Sequence, residues 1–452
     1  MPGAVLRCKQ LASVRRLCYC KPIHVGKFLK QYSTPSSARL ETLIKPELDV
    51  DYLCNADNKT EIEHNIRNRK GVGNINRVLE LHKRISSLSP DREDEMQELR
   101  KEFEEEALLI PNKSFPSLSQ YGEEPKVLNF QGVKPSFPFK AKEFSEITIQ
   151  NRTLRTENLA IFTGHRGYCF SGQLAELEQA LVRYTVRELL SRNFKLISVP
   201  DILPREVIEG CGMNTRGERT QVFSLDAQLH GEDLCLSGTS EMALAGYLAN
   251  AVFEESALPE KLAAVSRCYR AETSSIAEER GIYRVHQFTK VEMFAVTNQT
   301  SSAELMSEFC HLQEHLFSSL GLHTRTLDMP PHELGAAAYR KHDIEAWMPG
   351  RNAWGEISSC SNCTDYQTRR LNVRYKPTGV PDCTIHAHTV NGTACAVPRM
   401  LIAIIETHQQ HDGTVIIPEP LQPFMRGSTC IGKQDLIPAM QFIRKRELTE
   451  KG

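Results

Sequence analysis

The stretch RCYRAETSSIAEERGIYRVHQFTKVEMF, residues 267–294, decides the fold because it contains two short runs in which apolar and polar residues alternate. Such alternation predicts two β-strands, joined here by a polar, charge-rich segment. Arg270, Glu272, Arg284 and Glu292 lie inside these runs, where a strand buried on both faces would carry apolar side chains. The pattern therefore predicts antiparallel strands with one face available for polar contacts.

Side chains two positions apart on a strand point to the same side, which groups these charges. Glu272 shares a side with Arg270, while Phe288 and Glu292 share a side with Arg284. An arginine offers a planar, permanently charged fork to a phosphate or a carboxylate. A sheet face that carries a carboxylate, a guanidinium and an aromatic ring is poorly suited to burial in a core and well suited to binding a nucleotide. A structural salt-bridge network across two strands is the alternative that this segment leaves open.

Length and composition limit the class of protein. The 452 residues allow two or three domains, and 55 Lys and Arg balance 56 Asp and Glu, so the overall charge indicates neither nucleic acid nor membrane. The 14 cysteines lack a regular framework spacing, which is typical of free thiols in a reducing compartment. Apolar runs such as 400–405 are far too short to span a membrane. We therefore expect a soluble protein with no membrane partner.

The first forty residues have an unusual composition. They contain eight Lys and Arg, and the first acidic residue is Glu41. This composition is typical of an organellar transit peptide, since a secretory signal would need a longer uninterrupted apolar stretch. We expect residues 1–35 to be a mitochondrial transit peptide that directs the protein to the matrix. A disordered basic tail is the alternative.

Three regions are expected after this leader. Residues 41–112 carry helical apolar stripes around a Ser-Leu-Ser-Pro turn, which predicts an antiparallel helical hairpin arm. Residues 113–150 are rich in proline, serine, phenylalanine and lysine, which predicts a linker. Residues 151–452 mix strands and helices without a βαβ repeat. They predict an α+β domain around an antiparallel sheet, followed by a C-terminal tail.

The two predicted helices of the arm differ in charge. Residues 58–88 hold seven Lys and Arg against three Glu, and residues 91–106 hold three against nine Asp and Glu. Two solvated helices that attract each other explain this difference adequately. The alternative is that the first helix faces phosphates. The cations available to it would be Arg67, Arg69, Lys70, Arg77, Lys83 and Arg84.

Three further segments carry chemically useful side chains. Gly238-Thr-Ser-Glu241 opens an amphipathic helix, where helix capping is the commoner use of such residues. Glu356 stands beside hydroxyl residues in a strand pattern, and this combination suits Mg²⁺ shared with phosphates. Arg399, within 391–406, stands at the head of an apolar helix whose N-terminus favours anions.

A fourth pattern has the spacing of a four-ligand zinc site. It consists of Cys360-x2-Cys363 followed by Cys383-x2-His386. Both pairs fall in predicted strands rather than in knuckle turns, so we expect no zinc.

Taken in order, these segments resemble the signature motifs of class II aminoacyl-tRNA synthetases, and more narrowly those of the seryl branch. The helix and strand that end at Pro200 are similar to motif 1, residues 269–292 to motif 2, and residues 391–406 to motif 3. The segments 239–241 and 357–362, the latter followed by two arginines, are typical of the seryl branch. Four ordered motifs are a strong signal, although none is strong alone.

The resemblance implies a class II synthetase antiparallel sheet flanked by helices, covering about residues 151–425, with the arm as a tRNA-binding hairpin. It implies a two-step reaction in which serine attacks ATP to give seryl-adenylate and pyrophosphate, and serine then passes to the 3′ end of serine tRNA. ATP and Mg²⁺ are the implied cofactors, and the implied assembly is a homodimer with Pro200 at its interface. The short arm, the break at 71–73 and the basic leader resemble the animal mitochondrial branch.

The same resemblance implies individual roles by position. Three residues would act in the reaction itself: Arg270, Glu292 and Arg399. The serine pocket would be formed by Thr239, Ser240, Glu241, Glu292 and Thr393. ATP would be held by Arg270, Ala271, Glu272, Val285, Phe288, Glu356, Ile357, Ser358, Ser359 and Arg399. The metal ion would lie on Glu356 and Ser359.

Within this set, Arg270 would hold the α-phosphate and the serine carboxylate, and Glu272 would accept from the adenine amino group. Phe288 would stack on one face of the adenine, with Arg399 on the other. The loop at 273–280 is expected to meet the acceptor end of the tRNA. Cations of the arm or of the tail (Lys433 and residues 444–446) would supply further basic surface for the tRNA.

Two rivals remain open at this point. A catalytically inactive paralogue that acts as a binding or structural protein would keep the fold and lose the reaction. Another class II synthetase of the threonyl or prolyl type is disfavoured because no zinc ligand set and no editing domain is visible.

Overall fold

The computed structural model describes residues 44–156, 166–216, 220–230, 233–272 and 281–435. The expected transit peptide at 1–35, the loop at 273–280 and the tail cations at 444–446 lie outside the described residues.

The described residues form helices and strands that are interleaved at irregular intervals. The helices are α1 (Val50–Cys54), α2 (Lys59–Asn68), α3 (Ile75–Ser87), α4 (Glu93–Leu108), α5 (Phe144–Gln150), α6 (Gly172–Leu190), α7 (Arg205–Gly210), α8 (Ala227–His230), α9 (Ser240–Tyr247), α10 (Ser302–Ser319), α11 (Tyr366–Leu371) and α12 (Val397–Thr407). Short 3-10 helices lie at Ala56–Asn58, Pro116–Gln120, Glu255–Ala257, Pro331–Glu333 and Glu419–Met425. No helix in these described ranges is both long enough and apolar enough to cross a membrane.

The strands are mostly short outside one large sheet. They are β1 (Lys126–Gln131), β2 (Leu154–Arg155), β3 (Cys169–Phe170), β4 (Lys195–Ile197), β5 (Ile202–Pro204), β6 (Leu234–Leu236), β7 (Val252–Glu254), β8 (Glu260–Tyr269), β9 (Gln287–Thr297), β10 (Thr324–Asp328), β11 (Arg340–Met348), β12 (Ala353–Thr364), β13 (Arg374–Lys376), β14 (Ile385–His386), β15 (His388–Ala396), β16 (Val415–Ile416) and β17 (Cys430–Ile431).

The large sheet has eight strands in the order β1-β10-β11-β12-β15-β9-β8-β4. Neighbouring strands are antiparallel except for β4, which pairs parallel to β8. The two strands predicted at 267–294 correspond to the neighbouring strands β8 and β9, in register from Glu260 opposite Val296 to Tyr269 opposite Gln287. Arg270, Glu272 and Arg284 were predicted within these strands but lie beyond their ends. The predicted α+β fold around an antiparallel sheet flanked by helices is thus confirmed.

Strand β9 shows how the sheet separates a core from a site. Val291 and Met293 belong to the apolar cluster that includes α6, α10 and α12. Phe294 and Val296 belong to a second cluster that includes α9. Because successive side chains alternate between faces, Glu292 lies on the same face as the second cluster. One face of the sheet therefore packs against long helices, and the other carries the polar residues of the central strands.

The arm consists of α1 to α4 and has a small apolar cluster of its own. Ile62, Ile66, Ile75 and Val78 are buried in this cluster together with residues of α1 and α4. Asn74 begins α3, because its side chain accepts from the backbone N–H groups of the first turn. Helices α3 and α4 pack against each other, as the predicted hairpin requires.

The prediction of a linker over residues 113–150 is wrong in part. Strand β1 lies within this segment and pairs with β10 as an edge strand of the large sheet. Helix α5 also lies there and packs against α12. The side chains of β1 are almost all exposed, so the strand lacks the alternation of buried residues by which a strand is recognised in sequence.

Candidate active site

A pocket opens where β9, β12 and β15 meet the start of α12. Three separated stretches of sequence meet in it, around residues 270–290, 356–359 and 393–399. The lining residues are Arg270, Glu272, Ile282, Tyr283, Arg284, Val285, Phe288, Lys290, Glu356, Ile357, Ser358, Ser359, Thr393, Ala396, Pro398 and Arg399. The fold thus brings together ten residues predicted from the sequence to bind ATP or serine. Ala271, Thr239, Ser240, Glu241 and Glu292 do not line this pocket.

The ends of β8 and β9 carry the first charged group of the pocket. The backbone N–H of Arg270 donates to the carbonyl of His286 over 2.9 Å, so the hairpin pairing continues beyond β8. The guanidinium carbon of Arg270 lies 5.4 Å from the centroid of the Phe288 ring. Arg284 donates to Glu272 over 3.3 Å. The salt-bridge alternative is therefore realised between Arg284 and Glu272, whereas Arg270 lies over an aromatic ring.

Arg399 forms the second charged group, in the first turn of α12. Its guanidinium donates to the Glu356 carboxylate and to the Glu356 carbonyl, each over 3.1 Å. Its guanidinium carbon is 4.5 Å from the centroid of the Tyr283 ring, and that of Arg351 is at the same distance from this ring. The resemblance to the seryl branch implies that Arg399 faces Phe288 across the adenine. In this structure Arg399 lies over Tyr283 instead.

Glu356 is the carboxylate best placed to hold a cation. Burial alone would raise its pKa, but the charges of Arg399 and Lys341 outweigh burial and hold the pKa at about 2. Its side chain is 41% exposed because it faces the open pocket. Behind it, burial raises the pKa of Asp343 to about 7, although Lys341 donates to that carboxylate over 2.8 Å. At neutral pH the pocket therefore presents an ionised oxygen ligand at Glu356, with Ser359 beside it.

The cysteine pairs with zinc spacing are placed differently from a metal site. Cys360 and Cys363 are buried on β12, and burial raises the pKa of both thiols well above its ordinary value. Among the described residues, no group of three or more His, Cys, Asp and Glu side chains is arranged to hold a metal ion. A divalent cation at Glu356 would therefore need additional oxygen ligands, and ATP phosphates are the usual source of such ligands.

Glu292 does not line the pocket but contacts Lys290 and Thr393, which line its inner end, and is only 2% exposed. Its carboxylate forms an ion pair with Lys290 and accepts from the hydroxyls of Thr239 over 3.1 Å and Thr393 over 3.3 Å. Thr239 is also the N-cap of α9, where it accepts from the backbone N–H of Glu241. The capping role and the polar contact therefore coexist in one side chain.

Glu241 extends this polar cluster away from the sheet. Its Oε1 accepts from the amides of Gln367 over 2.6 Å and Asn391 over 2.9 Å. Burial, and then the negative charge of Glu292, raise the pKa of Glu241 to about 7. Two carboxylates, Glu292 and Glu241, thus lie near the buried ammonium of Lys290. Such a cluster is suited to a small polar ligand that carries its own positive charge.

The cations of the arm separate into two groups, and one prediction is wrong. Arg69 is 3% exposed and donates to the carbonyls of Asn112, over 2.6 Å, and Gly335. It therefore joins the arm to the larger body and is not available to a phosphate. Arg77 pairs with Glu80 and with Glu102 on α4. The cations that remain exposed are Arg67, Lys70, Lys83 and Arg84.

Several residues of the site were not identified from the sequence. Lys290 had a usable signal, because it precedes Glu292 by two positions on one strand and must share its face. No sequence signal pointed to Tyr283, Gln367 or Arg351, because their contacts join elements that are far apart in the sequence.

Comparison with known proteins gives consistent results. The family model described as tRNA synthetase class II core domain (G, H, P, S and T) matches residues 223–408. The chain is 44% identical over 369 residues to the mitochondrial serine–tRNA ligase of Mus musculus, covering 80% of this chain and 69% of that protein. It is 39% identical over 359 residues to the serine–tRNA ligase of Rubrobacter xylanophilus, covering 79% and 83% of the two chains.

Solved structures agree with these sequence matches. The cytoplasmic serine–tRNA ligase of Naegleria fowleri in complex with AMP superposes with a TM-score of 0.75 at 28% identity, covering 86% of this chain and 99% of that one. The seryl-tRNA synthetase of Pyrococcus horikoshii complexed with ATP superposes with a TM-score of 0.71 at 28% identity, covering 85% and 94%.

Proposed function

The chain belongs to the serine–tRNA ligases, a family of class II aminoacyl-tRNA ligases, and on that premise we propose that it activates L-serine with ATP and transfers it to mitochondrial serine tRNA. One observation carries the proposal. The sheet face that places Arg270 and Arg399 around one pocket also places Thr393 at its inner end, and Thr393 and Thr239 both donate to the buried carboxylate of Glu292 beside it.

The nucleotide would occupy the outer part of the pocket. Phe288 offers a ring for the adenine, and Glu272 offers a carboxylate acceptor for its amino group, in exchange for Arg284. Arg270 would leave the Phe288 ring and bind the α-phosphate. This assignment is supported by the proximity of the three side chains in the lining. Arginine suits the role because its planar fork binds phosphate oxygens in pairs.

Mg²⁺ would be held by Glu356 and Ser359, together with phosphate oxygens. The fit rests on two observations: Glu356 is ionised at neutral pH, and its side chain faces the open pocket. The cation would neutralise the phosphates of ATP as pyrophosphate departs. Arg399, which pairs with Glu356 in this structure, would turn toward the terminal phosphates of ATP.

Serine would occupy the inner end of the pocket. Its ammonium would lie at Glu241 and its hydroxyl between Glu292 and Thr393, with Arg270 on its carboxylate. Attack at the α-phosphorus then depends on positioning and on charge stabilisation, so the reaction needs no nucleophilic side chain. Alanine lacks the hydroxyl and would form none of the hydrogen bonds that the serine hydroxyl makes with Glu292 and Thr393. Such a mismatch typically lowers kcat/KM by about 10⁴-fold.

The partner and compartment proposals rest on separate features. Mitochondrial relatives and the basic first forty residues support a mitochondrial location. Exposed Arg67, Lys70, Lys83 and Arg84 support contact between the arm and tRNA phosphates. Leu196 and Ile202, 48% and 49% exposed on either side of Pro200, support a homodimer that would cover them.

Aminoacylation of purified serine tRNAs tests this proposal. We expect the full chain to charge mitochondrial serine tRNA with serine and to charge cytosolic serine tRNA more slowly. The control is Arg270→Ala, which keeps the fold and loses the α-phosphate contact. Failure to charge any serine tRNA, by protein that folds and binds ATP, would favour an inactive paralogue.

A further inference from the structure

A second layer of buried polar groups supports Glu241 from behind. Gln367 on α11 is 1% exposed, and its Nε2 donates to Oε1 of Glu241 over 2.6 Å. Its own Oε1 accepts from the hydroxyl of Thr389 over 2.7 Å, and Thr389 is 2% exposed. The three side chains form one line of hydrogen bonds from β15 to the first turn of α9.

The orientation of the Gln367 amide follows from the charge of Glu241. An ionised carboxylate only accepts, so the amide must turn its NH₂ toward Glu241 and its oxygen toward Thr389. The Thr389 hydroxyl donates to that oxygen and so stabilises this one orientation. Asn391 donates to the same oxygen of Glu241 as Gln367 does. Both amide contacts thus converge on Oε1, and among the hydrogen bonds of the described residues none ends on Oε2.

We propose that Gln367 is a positioning residue for serine, which holds the Glu241 carboxylate ionised and oriented toward the substrate ammonium through the line of hydrogen bonds that begins at Thr389. The inference rests on the proposed function, because it assigns the ammonium to Glu241. It adds a residue that touches neither substrate nor nucleotide and whose effect is transmitted through Glu241.

The charges around Glu241 show why such support is needed. Glu292 and Lys290 face it from β9, Arg270 from the end of β8, and the thiols of Cys211 and Cys363 from α7 and β12. Burial and the charge of Glu292 raise the pKa of Glu241 to about 7, whereas the Gln367 hydrogen bond lowers it. A folded pKa above that of an exposed glutamate means that ionisation weakens the folded state as the pH rises toward neutrality. A donor that favours the ionised form opposes this tendency.

Loss of the donor therefore has a predictable sign. Methionine is similar in size to glutamine but lacks the amide donor. In Gln367→Met the pKa of Glu241 therefore rises further, and a smaller fraction of the molecules has an ionised Glu241 near neutral pH. Serine binding then requires a more alkaline solution. A rise of about one pKa unit moves the acidic limb of the serine kcat/KM profile by about one pH unit and lowers kcat/KM about tenfold below that limb. The KM for ATP should change less than about twofold, because Gln367 lies outside the nucleotide pocket.

The experiment measures serine-dependent ATP–pyrophosphate exchange from about pH 6 to about pH 8.5, with saturating ATP and varied serine. The matched control is Gln409→Met, which removes another buried glutamine, 2% exposed, whose amide donates to Glu406 and Lys142 carbonyls away from the pocket. Thr389→Val removes only the hydroxyl that orients Gln367 and should shift the profile in the same direction by a smaller amount. If Gln367→Met does not fold, the pH profile of Thr389→Val tests the positioning role of Gln367.

The outcomes separate the inference from its premise. An alkaline shift in Gln367→Met and Thr389→Val, absent in Gln409→Met, supports the positioning role. An unshifted profile in both variants, or equal effects on serine and on ATP, overturns it while wild-type exchange stands. Wild-type protein that folds but shows no exchange with serine overturns the proposed function and this inference together.

Discussion

Replacement of Glu292 by alanine tests whether the inner end of the pocket recognises the serine hydroxyl. The substitution removes the acceptor of Thr239 and Thr393 and the partner of Lys290 in one step. Glu292→Gln keeps an oxygen acceptor for one threonine and loses only the charge. The pair of variants therefore separates hydrogen bonding from charge at one position.

The size of the effect follows from burial. Lys290 and Glu292 side chains are 7% and 3% exposed, so Glu292→Ala leaves a buried ammonium without its closest partner. Breaking such a pair typically destabilises a protein by about 3–5 kcal/mol. The pKa of Glu241 falls once the charge of Glu292 is gone, because that charge contributes to raising it. The ionised Glu241 can then take the place of Glu292 as the carboxylate near Lys290. We therefore expect a loss of folding stability at the lower end of this range, about 3 kcal/mol.

The effect on catalysis is larger for serine than for alanine as substrate. A hydrogen bond to a charged group is worth about 1.5–3 kcal/mol, which corresponds to roughly 10- to 150-fold in kcat/KM. We expect Glu292→Ala to lower the preference for serine over alanine from about 10⁴ to about 10²–10³. Glu292→Gln should retain measurable exchange, at a rate between those of the wild type and of Glu292→Ala.

The assay is ATP–pyrophosphate exchange with serine and with alanine, accompanied by thermal unfolding of each variant. Unfolding identifies a loss of activity that merely follows a loss of structure. Exchange by Glu292→Ala within about threefold of wild type would refute the assignment of the serine hydroxyl. An equal loss for serine and alanine would show that Glu292 is only structural.

Three further predictions concern the arm, the metal and the core. Arg69→Met should leave serine-dependent exchange within about twofold and lower tRNA charging at least about tenfold, because the arm loses its buried link to the body; equal loss of both activities would contradict this. Glu356→Gln should raise the Mg²⁺ and ATP concentrations needed for half-maximal exchange about tenfold or more, with little change in the KM for serine; an unchanged Mg²⁺ requirement would contradict the metal assignment. Burial alone would raise the pKa of Asp328, but the His342 ring 3.4 Å away, together with hydrogen bonds from Arg340 and Tyr121, outweighs it and holds the pKa well below its usual range. Asp328→Asn should therefore be less stable by about 3 kcal/mol near neutral pH, and denaturant unfolding should show the difference shrinking as the pH falls below about 4.

Much of the pocket could be predicted because its signals are local in sequence. The two-residue spacing in sequence groups Glu272 with Arg270, and the pocket contains both, although both residues follow the last residue of β8. Arg399 stands in the first turn of α12, where a proline and small residues mark the start of a helix. Strand period and helix start are properties of a few neighbouring residues, so one sequence is sufficient to find them.

Other features depend on packing between distant elements and could not be predicted. Arg69 lies between exposed Arg67 and Lys70 in sequence, and only the approach of the loop at Gly335 buries it. The edge strand β1 lacks buried alternation because one side of it is paired and its side chains face solvent. The support of Glu241 by Gln367 joins residues 126 positions apart, which no local pattern reveals.

The central claim is that this pocket activates serine, and amino-acid-dependent ATP–pyrophosphate exchange tests it most directly. The full chain, purified without tRNA, is given each of the twenty amino acids in turn. We expect exchange with serine, and exchange with alanine that is lower by about 10⁴-fold. Absence of exchange with serine in folded protein that binds ATP, or a preference for another amino acid, would contradict it.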